Sequence, residues 1–202
     1  MIRCCNVALG LKLPKHTDQR MTSHQFSAAD IVEFWTDAGP ARWFKKDADF
    51  DDRFRSRFAA AHQVAADGGL GDWQANANGA LALLILLDQY PRNSFRGSAR
   101  MYVTDPQALA VAQSAVAAGF DAAVDRSLRL FFYLPFIHSE QLAQQDRALE
   151  LYAALGEETQ RHAHVHRDII LRFGRFPHRN ALLGRATSVD EQAFLDAGGF
   201  AG

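Results

Sequence analysis

Residues 81–87 are apolar without a break and run straight into Asp88-Gln89-Tyr90-Pro91-Arg92-Asn93, with Arg96-Gly97 close behind. An apolar run of this kind belongs to a buried helix or strand. What leaves its end is charged and turn-forming. A second stretch has the same grammar: Ile169-Ile170-Leu171 lead into Arg172-Phe173-Gly174-Arg175-Phe176-Pro177-His178-Arg179-Asn180. The chain reads as organised around these two helix ends.

The rest of the pattern is helical. Ser27 and Asp30 supply an N-cap and an acid ahead of the apolar face of Ile31, Phe34 and Trp35, and Gly39-Pro40 ends that helix. Trp43 and Phe44 form a bridging turn. From residue 47 to 66, Phe50, Phe54 and Phe58 recur at a spacing of four and predict a core-facing stripe. Asp72 is placed to cap the helix that reaches Leu87, and Pro91 is expected to end it, because proline has no N–H to give. Asp105-Pro106 reads as a cap and first-turn proline for a helix to about residue 118. Further helices are expected from Asp125 to a kink or stop at Pro135, from Ser139-Glu140 to Gly156, from Glu157 to Gly174, and from Pro177 to Gly184. Ser188-Val189-Asp190-Glu191 is a capping box for the last. No strand alternation appears. The expected fold is all-α, about eight helices with short links and largely antiparallel neighbours, in a single domain over residues 23–202.

Residues 1–22 have no helical period and are expected to be a disordered extension, with Met21 reading as a natural start. Net charge is −1, which removes the bulk case for nucleic acid binding, and no apolar run approaches the ~20 residues of a membrane span. The two cysteines are adjacent, Cys4-Cys5, so none staples the body of the chain; this fits a reducing cytoplasm. There is no phosphate-binding loop, dinucleotide fingerprint or nucleophile elbow, and no cofactor is expected.

Three stretches, residues 87–97, 134–140 and 173–185, read L-D-Q-x-P-R-N-x-x-R-G, L-P-x-x-H-S-E and F-G-R-F-P-H-R-N-x-x-L-G-R. In that order they resemble the DUF924 family of uncharacterised bacterial proteins, over roughly residues 25–200. The resemblance implies an all-helical, tetratricopeptide-like superhelix or bundle. It implies no reaction, and it carries over no catalytic residue.

The motifs contribute Asp88, Gln89, Arg92, Arg96, His138, Glu140, Arg175, His178 and Arg179, each at a helix end, where unpaired backbone groups need partners. Three functional readings follow. In the first, Gln89, Arg92, Arg96, Arg175 and Arg179 bind an anionic group of a peptide or small metabolite, since the guanidinium fork suits carboxylate and phosphate. In the second, the chain is a small-molecule hydrolase or transferase with His138 or His178 as acid or base, assisted by Asp88 or Glu140. In the third, these groups pair only with one another and the motifs are structural. His162 and His166 share a helix face at i, i+4, but with no third ligand in sequence no metal site is expected.

Overall fold

The computed structural model describes residues 26–200, so the expected N-terminal extension lies outside the described residues. The described residues are helical and contain no strand. In chain order the helices are α1 (Ala28–Ala38), α2 (Pro40–Trp43), α3 (Ala48–Ala66), α4 (Ala77–Leu84), α5 (Tyr90–Ser94), α6 (Asp105–Ala117), α7 (Leu130–His138), α8 (Leu142–Ala153), α9 (Glu157–Phe173) and α10 (Val189–Asp196).

Local signals explain most ends. Ser27 and Asp30 form a full capping box on α1, as do Ser188 and Glu191 on α10. Gly174 takes the left-handed conformation that closes α9. Phe50, Phe54 and Phe58 are buried and meet Phe34 from α1, while Trp35 packs on Phe54 and Phe131. α4 lies at the centre, packed by α1, α6 and α7. Its N-terminal Gly79 runs so close to the turn before it that a β-carbon would meet the Trp73 carbonyl oxygen at 2.1 Å. α8 packs on α7 and α9, and a smaller apolar cluster of Ile169, Ile170 and Phe176 is covered by Phe173, Phe194 and Phe200.

Several boundaries differ from the sequence reading. Asn76, not Asp72, caps α4, because residues 71–75 form a separate 3-10 turn. The stretch from Asp125 opens as a 3-10 turn before α7, which passes through Pro135 to His138. Only Pro177–Arg179 is helical in the stretch before Gly184, again as a 3-10 turn. Asp105 is the first residue of α6 and not its cap; its carboxylate is engaged elsewhere.

The largest difference is at Pro91. The chain does not stop there. Ile85–Gln89 widen into a π-helical turn and α5 continues with Pro91 in its first turn. The Tyr90 N–H reaches back to the Ile85 carbonyl. Leu86 thereby loses its usual donor, and Leu87, four residues before Pro91, never had one. Side chains take over. His62 Nδ1–H of α3 donates to the Leu86 oxygen at 2.9 Å, Thr104 Oγ1–H donates to the Leu87 oxygen at 2.5 Å, and Arg92 Nη1–H donates to the Asp88 oxygen at 2.9 Å. The first two bonds satisfy buried carbonyls that the wide turn and the proline would leave orphaned. Replacing Thr104 by isosteric Val is therefore expected to lower the unfolding free energy by about 1–2 kcal/mol, read by urea titration with an unchanged slope. A loss near zero would mean the Leu87 carbonyl does not depend on this hydroxyl.

Candidate functional site

The wide turn delivers Asp88 to the end of α7. Asp88 is 1 % exposed. His138 Nδ1–H donates to its Oδ1 at 2.7 Å, Arg92 Nη1 lies 3.2 Å from the same oxygen, and Gln89 Nε2–H donates to Oδ2 at 2.6 Å. Burial alone would push this carboxyl up. The Arg92 charge, with the hydrogen bonds from His138 and Gln89, outweighs burial and holds it well below the usual carboxylate range. An ionised Asp88 only accepts, so the proton at this contact sits on Nδ1 and Nε2 is left as an acceptor. Burial and then the Arg92 charge push the His138 imidazole down, against the pull of Asp88, so the ring is neutral at neutral pH.

Arg92 is fully engaged. Besides the Asp88 carbonyl it makes a bidentate pair with Asp105, Nη1 to Oδ1 at 2.8 Å and Nη2 to Oδ2 at 3.1 Å. Asp105 also faces Arg179, whose Nη1 is 3.5 Å from Oδ2. Asp88, Arg92, Asp105 and Arg179 thus alternate in sign along one line of contacts. Arg179 is 7 % exposed, and its guanidinium lies 4.6 Å from the Tyr102 ring centre and 4.5 Å from that of Phe176. Its Nε is buried without a partner among the described residues. Burial, then Arg92, push its pKa down despite Asp105 and Glu140.

Glu140 joins the second motif to the third. It accepts from the Phe176 N–H at 2.9 Å and from both Nη atoms of Arg185 at 2.7 and 3.0 Å. Burial works against its ionised form, but Arg185 and the Phe176 N–H prevail and hold its carboxyl below the ordinary value.

The other expected residues lie apart from this line. Arg96 forks onto Asp51 of α3, at 2.7 and 3.2 Å, beside Asn93. Arg175 forks onto Glu191 of α10, at 2.6 and 2.8 Å. His178 packs against the rings of Phe176 and Phe200 with Nδ1 buried and unpartnered among the described residues; burial and Arg179 push it down to about 4. His166 donates from Nδ1 to the His162 carbonyl at 2.8 Å, so this pair is tied through backbone, while the His162 side chain is exposed. Three participants escaped the sequence reading. Asp105 and Tyr102 carry no motif signal, whereas Arg185 stood inside the third motif and was available from it.

Surface hollows include one of about 690 Å³ between α1 and α3, lined by residues outside the three motifs, and one beside α10 that Arg175 borders. The motif side chains close largely on one another.

The chain belongs to the family described as bacterial protein of unknown function, DUF924, whose model matches residues 31–199. It is similar to a solved protein of unknown function from Agrobacterium tumefaciens, with 53% identity over 84% of this chain and 97% of that one, at a TM-score of 0.82. No curated protein is significantly similar to it.

The depressed imidazoles set a pH dependence. His138, His166 and His178 all sit below the ordinary histidine value in the folded state, His166 and His178 at about 4. Between that value and roughly pH 6.5 the unfolded chain binds more protons than the native one, so stability is full above the window and falls as pH drops through it. His166 alone accounts for roughly 2 kcal/mol between pH 7 and pH 5. Urea titrations at both pH values are expected to show at least this drop, and a His166→Leu variant a shallower one.

Proposed function

We infer that this is a tetratricopeptide-like binding protein whose motif cluster takes up the anionic group of a small metabolite or peptide at Arg179. One contrast supports the reading. Arg92, Arg96 and Arg175 each meet a carboxylate through two nitrogens, as a helix joint requires, and Arg185 does the same with Glu140. Arg179 is the more buried group, yet the one hydrogen bond of its guanidinium among the described residues is a long contact of 3.5 Å to Asp105. Holding a guanidinium out of water with so little compensation costs several kcal/mol. A joint between helices gains nothing from that cost, whereas a carboxylate or phosphate arriving at the free edge of the fork would offset it.

The test separates binding from support. Arg179→Met fills the slot between Tyr102 and Phe176 and leaves Asp105 paired with Arg92. Its melting temperature is expected to equal or exceed that of the wild type. Calorimetry with benzoate, inorganic phosphate and a short acidic peptide is expected to give saturable binding of an anion to the wild type, weakened about 10–100-fold in the variant. A wild type that binds none of these probes, with a variant that melts well below it, would return the cluster to a purely structural role.

A further inference from the structure

The Asp88–His138 pair has a feature that anion binding does not use. Asp88 fixes the Nδ1–H of His138, so Nε2 is an acceptor, and Nε2 has no hydrogen-bond partner among the described residues. The His138 side chain remains 14% exposed, whereas the unpartnered Nδ1 of His178 is enclosed. A neutral imidazole with one nitrogen held by a buried carboxylate and the other left as an acceptor is the arrangement of a general base. His138 and Arg179 also belong to one continuous line of contacts, from His138 to Asp88, Asp88 to Arg92, Arg92 to Asp105 and Asp105 to Arg179.

Resting on the anion-binding reading of Arg179, we propose that His138 is the catalytic base of a hydrolase acting on esters of small carboxylate-bearing molecules, with Asp88 as its positioning residue. His138 Nε2 takes a proton from water as the water oxygen bonds to the ester carbonyl carbon. The tetrahedral adduct then collapses, the carbon–oxygen bond to the alcohol breaks, and the imidazolium returns its proton to the leaving oxygen. Ester and water give acid and alcohol, and His138 ends neutral. Arg179 holds the substrate's separate carboxylate through both steps. His178 is excluded from this role because no carboxylate orients it and its ring packs between Phe176 and Phe200. The groups that face His138 and shape its titration are Asp88 and Arg92 before and within α5, Asp105 of α6 and His166 of α9.

The probes are 4-acetoxybenzoate and its uncharged methyl ester, followed by release of the phenol, with benzoate binding measured in parallel by calorimetry. The wild type is expected to hydrolyse 4-acetoxybenzoate with saturation and to handle the methyl ester with a higher KM. His138→Gln keeps a donor for Asp88; it is expected to lose about 10²–10⁴-fold in kcat while binding benzoate as before. His178→Gln keeps the wild-type rate. Asp88→Asn lowers kcat and displaces the acidic limb of the pH–rate profile, which a merely structural role would leave in place. If benzoate binds but the wild type hydrolyses neither ester faster than His138→Gln, the general base is overturned and the anion site stands. If benzoate does not bind either, both readings fall.

Discussion

Water barely reaches Asp88, and an ionised carboxylate in that position must find its countercharges and donors inside the fold. The requirement propagates. Gln89 and Arg92 come from the same segment, and His138 must be brought from α7. Arg92, now itself out of water, needs a second anion, and Asp105 at the start of α6 supplies it. One buried charge therefore fixes how α5, α6 and α7 meet. Removing either partner of such a pair strands the other, which is far more damaging than the modest net worth of the pair suggests.

The cluster combines two kinds of group. Asp88, Arg92, Glu140 and Arg185 have their hydrogen-bonding capacity largely consumed within the fold. Arg179 and the outer nitrogen of His138 do not. A frame in which most charges cancel can hold a few unsatisfied groups at fixed positions without reorganising when a charged molecule arrives, the property that makes electrostatic recognition efficient. The aromatic faces of Tyr102 and Phe176 serve the same end, since they restrain the Arg179 plane without competing for its N–H groups.

Much of this was legible in the chain. Most helices, the caps at Ser27 and Ser188 and the Phe50, Phe54, Phe58 stripe follow from local periodicity and capping chemistry, which need only near neighbours. The three motifs also marked where polar groups gather. Their internal division was not legible. Arg92 and Arg96 look equivalent in sequence, as do Arg175 and Arg179, but Asp51 and Glu191 claim Arg96 and Arg175. Those claims span 45 and 16 residues, and the Asp105–Arg179 contact spans 74, so no spacing rule reaches them. Pro91 failed differently. The rule that proline gives no hydrogen bond was right, but the helix survived because His62 and Thr104 met the carbonyls it abandoned.

That wide turn also limits how the gene can change. It holds one residue more than a regular helix would, and each residue of a helix advances the chain by roughly 100°. The surplus lets one segment turn Asp88 toward α7 while Tyr90 and Asn93 still face α3, where they meet the Arg55 carbonyl and Asp51. A single-codon deletion here would yield a smoother helix and a worse protein, because Asp88 and Asn93 could no longer address their two neighbours together. The count of residues in this stretch is thus a structural constraint separate from their identity: a substitution alters one contact, but a change in length must be answered at both α3 and α7 at once.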